Sequence, residues 1–458
     1  MSGVINRRTL LRSIGAGSVT LTFAGLASAD GETRYLVRTG DEGAERRLRR
    51  REFAVEHRLA DGAVLVVTGP DDAVDELEGI AGVSSAAPDF AFELEAPELS
   101  EPARVDPDSG NGNANENSNG PGDSNGSGSE TEDGADDEPA LFDGQWDKRV
   151  TEARSAHERA TGEGRRLAIV DTGVDHTHQD LGNVNEDESV TIFDGEVTPH
   201  TGDVHYHGTH VAGIAAATGA VGVLGTAPDA EIVSVRVFAV EDGDLVAYFG
   251  DILLAMAYAA AVDADAANAS IGTAPIPPQG NAEQYRRIME PVVQSVTAAG
   301  TLLVGSAGND DANLQQGGRF TLPNSLAGVT SVSATGPNDE RTFYSNYGTN
   351  EIDVGAPGGG YETAAKTGSE DENEVERPYP TNLVLSTVPG DGYDWLAGTS
   401  MAAPQVTGTA ALVRERRPDA PANRVERAIA AGADLVDGGG DPDLGAGRLN
   451  ANDALDGV

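Results

Sequence analysis

The chain has no cysteine in 458 residues. This excludes disulfides, thiolate metal sites, iron–sulfur clusters, a cysteine nucleophile and a lipidated N-terminal cysteine. Lysine is almost absent: Lys148 and Lys366 stand alone among 31 basic residues, against 75 acidic ones. The formal net charge is −44 and the sequence pI is about 4.3. Such a surface repels nucleic acid and anionic membrane, so neither is expected as a partner. Self-repulsion of that size calls for screening, which points to a salt-rich working environment. Long apolar runs are missing as well. The apolar stretch near the start, Ser13 to Leu26, carries no charge and is shorter than the ~18 residues a membrane-spanning helix needs. No repeat period appears.

What is present divides into four parts. Residues 1–29 open with Arg7-Arg8, continue through a small-residue apolar stretch and end on Ala27-Ser28-Ala29, which fits a signal-peptidase site. This resembles a twin-arginine export signal, so a secreted, soluble product is expected. Residues 30–95 read as a small α+β unit. Strands are expected at Arg34–Arg38, near 52–58, at Ala63–Thr68 and at Val83–Phe92, with helices at Glu45–Glu56 and Asp71–Ile80. The resulting βαββαβ order suits a ferredoxin-like fold. Residues 96–140 are rich in Gly, Asn, Ser, Asp and Glu, cannot bury enough surface to offset ordering, and are expected to form a disordered linker. Residues 141–458 alternate strands and helices, the pattern of an α/β doubly wound parallel sheet with helices on both faces. Tyr361–Asn382 reads as an acidic surface insertion.

Three segments of the last part carry chemistry. The apolar strand Leu167–Val170 ends in Asp171-Thr172-Gly173. His207-Gly208-Thr209-His210 opens an Ala-rich helix, and Gly398-Thr399-Ser400-Met401-Ala402-Ala403-Pro404 opens another. A hydroxyl nucleophile, an imidazole to take its proton and a carboxylate to orient the imidazole are what acyl transfer needs. Each group falls at the end of an element, where a side chain reaches a cleft.

From about residue 145 to 450 the chain resembles the subtilisin-like serine proteases, the subtilase family, whose triad runs Asp…His…Ser. The lysine-poor, carboxylate-rich composition resembles that of haloarchaeal proteins, which makes the likeness one to halolysins. The resemblance implies a serine endopeptidase with Ser400 as nucleophile, His207 as general base and Asp171 as its orienting carboxylate. Gly305-Ser306-Ala307-Gly308-Asn309 matches the family's oxyanion segment, so Asn309 is expected to donate its side-chain N–H to the tetrahedral oxyanion. Ser270-Ile271-Gly272 resembles the substrate-binding strand, which pairs with an extended peptide. Protein or peptide substrates and a monomeric enzyme are expected. The front unit resembles the family's inhibitor propeptides: it would assist folding, block the cleft and be removed by self-cleavage between Leu94 and Ala140. No cofactor is required. Calcium is the one ion the resemblance raises, with Asp180 as a ligand, although the companion loop Thr218–Gly222 lacks side-chain oxygens beyond Thr218. Gln179 and Gln405 depart from the family's usual Pro and His.

Two alternatives remain open at this level. His205, His207 and His210, with His176, His178 and Asp180 nearby, could form a zinc site that activates water. The fold could also serve a non-catalytic surface protein. Within the triad, Asp175 competes with Asp171 and His210 with His207.

Overall fold

The computed structural model describes residues 19–20, 32–41, 43–94, 103–104, 138–241, 243–277, 282–316, 319–369, 382–436 and 440–457. Most of the export signal, most of the linker and most of the acidic insertion lie outside these residues.

The front unit has four strands, β1 (Glu32–Thr39), β2 (Ala54–Leu59), β3 (Val64–Pro70) and β4 (Val83–Pro88), with helices α1 (Ala44–Arg49) and α2 (Val74–Glu78). The sheet order is β2-β3-β1-β4 and every neighbouring pair is antiparallel. Alternation along the strands divides the apolar residues between two faces. Tyr35, Val37, Leu65 and Val67 join Leu48 and Leu77 in the unit's own core. Leu36, Val64 and Val66 face the other way and join the core of the large domain. Two expectations need correction. The helix expected over Glu45–Glu56 stops at Arg49, because Phe53 turns into the unit's core. The strand expected over Val83–Phe92 is two strands: Pro88 ends the first, and Ala91–Leu94 pairs elsewhere.

The large domain is built on eight strands: β5 (Arg166–Asp171), β6 (Val190–Phe193), β7 (Glu196–Pro199), β8 (Glu231–Arg236), β9 (Ala266–Ala269), β10 (Leu302–Ser306), β11 (Val329–Thr335) and β12 (Val354–Pro357). Their order is β7-β6-β8-β5-β9-β10-β11-β12, and all pairs are parallel except the edge pair β7–β6. The sheet is therefore mostly parallel. Its antiparallel edge comes from the hairpin turn Asp194-Gly195, where both residues have positive φ, as a two-residue turn of this kind requires. The apolar run Leu383–Thr387, which the sequence pattern alone assigns to a strand of the parallel sheet, lies outside this sheet. Val384–Val388 folds back on Gly392–Leu396 as an antiparallel hairpin through Gly390 and Asp391, both at positive φ. The linker segment Ala103–Arg104 adds to the edge of that hairpin, so the linker is not structureless throughout.

Helices α3 (His207–Ala216), α4 (Phe249–Ala261), α5 (Ala282–Ala299), α6 (Thr399–Arg416) and α7 (Ala422–Gly432) cover the sheet. One apolar core, with α3, α6 and α7, fills one face; a second, with α4 and α5, fills the other. The front unit lies on the second side. Phe90 stacks on Phe249 at 5.0 Å between ring centroids and meets Tyr285 edge-on at 4.9 Å. Asp89 accepts the Gly250 N–H at the start of α4, and Arg34 pairs with both Asp89 and Asp251.

One of the two lysines is a core residue. Lys148 is 1% exposed and donates to the Ile214 carbonyl, Thr226 Oγ1 and Gln405 Oε1. Its ammonium is 3.3 Å from Asp147, which also accepts from Gln405 Nε2. Burial pulls the Lys148 pKa down, and Asp147 opposes that shift. The Gln405 departure thus belongs to a buried polar knot beneath α6. Lys148→Met would leave Asp147 buried and unpaired, so a loss of about 3–5 kcal/mol in unfolding free energy is expected. Denaturant titration in molar salt checks this, and a loss under 1 kcal/mol would contradict it.

Candidate active site

Asp171 is the last residue of β5, at the carboxyl edge of the sheet, where open α/β folds place their ligands. His207 is the first residue of α3. The helix begins close against the β5 terminus because Gly208 has no side chain: a Cβ there would lie 2.1 Å from the Gly173 carbonyl oxygen. His207 Nδ1 consequently donates to Asp171 Oδ1 at 2.7 Å, with both side chains buried. The same oxygen accepts the Thr172 N–H at 2.8 Å. His207 Nε2 is buried and has no hydrogen-bond partner among the described residues. Burial draws the imidazole pKa down, but the charge and hydrogen bond of Asp171, with the field of Asp203, outweigh it, and the net shift is upward.

Ser400 is the second residue of α6, which packs against α3, so its N–H is among the first four that an α-helix leaves without an internal acceptor. Its hydroxyl donates to the Ser270 carbonyl at 3.2 Å, and Ser270 Oγ donates back to the Ser400 carbonyl at 2.8 Å. The resting hydroxyl is thus turned toward Ser270 instead of His207. Asn309 follows β10. Its Oδ1 accepts both the Thr399 N–H and the Thr399 hydroxyl, each at 2.9 Å. A backbone N–H only donates, so the amide oxygen faces Thr399 and the NH2 group faces the other way. Asn309, Ser400 and Ser270-Ile271-Gly272 line one cleft together with Thr273, Asp310 and Asn324.

The competing residues sit elsewhere. Asp175 accepts from the Thr177 hydroxyl and the Gly390 N–H and does not meet His207. His210 points its Nε2 at the Asp394 carbonyl, and His178 at that of Gly392. The imidazoles of the H-x-H-x-x-H run therefore do not converge, and the described residues contain no group of three side chains able to hold a metal ion.

Asp180 does not fit the expected calcium role. Its Oδ1 accepts the Val221 N–H at 2.6 Å; its Oδ2 accepts those of Gly222 and Val223 at 2.8 and 3.0 Å and the Tyr393 hydroxyl at 2.8 Å. Gln179 donates to the same Tyr393 hydroxyl. Calcium needs six to eight oxygens with lone pairs directed at the ion, whereas this carboxylate already faces four donors.

Sequence reasoning missed a strand that receives the end of the front unit. Asp244–Tyr248 lies between Ala239–Glu241 and the front unit's Ala91–Leu94. Ala91–Leu94 runs antiparallel to it, with Leu94 opposite Leu245 and Ala91 opposite Tyr248. The run Leu245-Val246-Ala247-Tyr248, directly before α4, was the available signal.

Comparison with known proteins agrees with this geometry. Residues 162–447 match the profile of the subtilase family, peptidase S8. The chain belongs to the subtilase family. It is 33% identical over 275 residues to subtilisin Savinase of Lederbergia lenta, covering 60% of this chain and 85% of that one. An alkaline protease of Alkalihalobacillus alcalophilus is also 33% identical, and there the match spans 60% of the relative's length. Among solved structures, the epidermin leader peptide processing serine protease of Staphylococcus aureus shares the fold, with a TM-score of 0.69 and 20% identity, over 93% of this chain and 98% of that one. A lanthipeptide protease superposes with a TM-score of 0.57 at 28% identity, over 68% of this chain and 93% of that one.

Proposed function

We propose that this subtilase is a secreted, salt-adapted serine endopeptidase made as a self-processing proenzyme. The observation that carries the reading is the His207–Asp171 hydrogen bond of 2.7 Å with Nε2 left buried and unpartnered. Such an imidazole is fixed in one tautomer and has a free basic nitrogen. A side-chain rotation of Ser400 frees its hydroxyl from Ser270. His207 Nε2 then takes the proton as Oγ attacks the scissile carbonyl, and Asp171 stabilises the imidazolium. The oxyanion is held by Asn309 Nδ2 and the Ser400 N–H at the positive end of α6. His207 protonates the leaving amine, and water, activated by the same nitrogen, hydrolyses the acyl-enzyme.

An extended peptide would pair its main chain with Ser270–Gly272 and with the strand Asp244–Tyr248. The front unit, residues 30–95, serves as a ferredoxin-like propeptide. Its strand order, its seat on α4 and α5 and the pairing of Ala91–Leu94 with Asp244–Tyr248 all support an inhibitor that lies where substrate lies. Residues 1–29 act as the twin-arginine signal, 96–140 as the linker that is cut, and 141–458 as the monomeric catalytic domain. The described residues contain no helix long and apolar enough to cross a membrane.

Two measurements test the catalytic reading. Asn309→Ala is expected to lower kcat about 10²–10³-fold, with KM changed far less, because the lost donor acts on the oxyanion. An equal loss in KM would assign Asn309 to substrate binding instead. The base must be neutral to act, and the His207 pKa is raised. Activity should therefore fall as pH drops through a value above the ordinary histidine figure of about 6.5. A kcat/KM profile that stays flat down to about pH 5 would contradict the assignment.

A further inference from the structure

Asp203 lies four residues before His207 and belongs to no motif. Its partly buried carboxylate faces four donors. Oδ1 accepts from the Thr172 hydroxyl and the His205 N–H, both at 2.8 Å. Oδ2 accepts the Thr209 hydroxyl at 2.6 Å and the Thr209 N–H at 2.9 Å. The direction of the two hydroxyl bonds is fixed from behind. Thr172 Oγ1 accepts the Gly208 N–H at 2.9 Å, and Thr209 Oγ1 accepts the Asp175 N–H at 3.0 Å. Each hydroxyl has one proton, and Asp203 is the acceptor it points to.

These bonds join two particular places. Thr172 follows Asp171 and Gly208 follows His207, so the run from Gly208 N–H through Thr172 Oγ1 to Asp203 ties the end of β5 to the start of α3. We propose that Asp203 is a positioning residue of the proposed triad: it locks the strand end that carries Asp171 to the helix start that carries His207, and adds a second negative charge that favours the imidazolium. The inference rests on the catalytic reading above.

The other groups around the imidazole leave this effect readable. His205 and His210 are held to about 3 by burial and by the charge of His207, so both are neutral across the working range. Asp171 and Asp203 are the carboxylates that raise His207. Arg236 and Tyr206 face Asp203, Asp394 faces Tyr206, and Lys148 acts only weakly, on His210. Burial raises the Asp203 pKa on balance, and the bonds from Thr209, His205 and Thr172 limit that rise. Four donors suit the anion.

The test compares the full-length chain with Asp203→Asn, Thr172→Val and Thr172→Ser in molar salt. It measures kcat and KM on a chromogenic peptide across pH, with thermal unfolding alongside. Asp203→Asn is expected to lose about 10²-fold in kcat, the cost of a misplacement of order 1 Å. KM should stay within about threefold of wild type, and the acid limb should move to lower pH because a negative charge beside His207 is gone. Thr172→Val should fall in the same direction, and Thr172→Ser, which keeps the hydroxyl, should be close to wild type. A merely structural role would lower the unfolding midpoint and leave the acid limb where it was, and that result overturns the proposal. If Asp203→Asn does not fold, Thr172→Val decides: wild-type kcat and an unmoved acid limb in that variant overturn it. Wild-type chain without activity would instead refute the catalytic reading, and the role of Asp203 would fall with it.

Discussion

Ser400→Ala is expected to lower peptide hydrolysis about 10⁶-fold, the scale typical of a triad nucleophile, with the fold unchanged. The side chain is 3% exposed and makes one weak hydrogen bond, to the Ser270 carbonyl at 3.2 Å. Removing one hydroxyl there opens little space and leaves no buried donor unpaired, since a carbonyl oxygen is cheaper to leave unmatched than an N–H. The reciprocal bond from Ser270 Oγ to the Ser400 backbone carbonyl survives the substitution. What is lost is the atom that forms the acyl bond. Asn309 and the N–H groups at the start of α6 remain, so residual hydrolysis about 10³–10⁴-fold over water is expected. A variant that keeps more than a hundredth of the wild-type rate would place the chemistry elsewhere.

Asp171→Asn is expected to lower kcat about 10⁴-fold and to change KM little. The substitution keeps the shape of the side chain and removes its charge. Asp171 Oδ1 serves two donors at once, the Thr172 N–H and His207 Nδ1–H. An asparagine that turns its oxygen to both still fails to balance the imidazolium. One that turns its NH2 group to His207 forces the other tautomer and puts the proton on Nε2, where the base is needed. The acid limb of the pH profile should also move down, because Asp171 is the main group holding the imidazole pKa up. Thermal unfolding near that of wild type would separate this loss from misfolding. A variant of near wild-type turnover would mean that His207 does not act as the base.

The residues of the proposed triad were legible in the sequence for a local reason. Each sits at the boundary of an element whose apolar pattern is strong: Asp171 after Leu167–Val170, His207 before an Ala-rich helix, and Ser400 after Gly398. Parallel strands buried on both faces are continuous apolar runs, so most of the main sheet could be read as well. What escaped depends on pairing across distance. Asp244–Tyr248 is a strand because Ala91–Leu94 and Ala239–Glu241 lie beside it. Val190–Pro199 is a hairpin whose Asp194-Gly195 turn was a usable signal. Asp203 gains meaning only when Thr172 and Thr209 converge on it. Asp180 is a further case: residue type suggested an ion, and only the folded chain shows the turn of Val221–Val223 delivering three N–H groups to its carboxylate. The front unit's strand at Val83–Phe92 was drawn too long because its last residues serve a different sheet.

The central claim is that Ser400 acts on an acyl group and that the chain removes its own front unit. Intact mass spectrometry, after refolding in molar salt and exposure to a serine-directed phosphonate, tests both parts in one experiment on wild type and Ser400→Ala. The account predicts that wild type loses its front unit by a cut between Leu94 and Ala140 and gains one phosphonate adduct, and that Ser400→Ala keeps its full mass and takes none. A folded wild type that stays whole and unlabelled, or a Ser400→Ala chain that cleaves and labels like wild type, would contradict it.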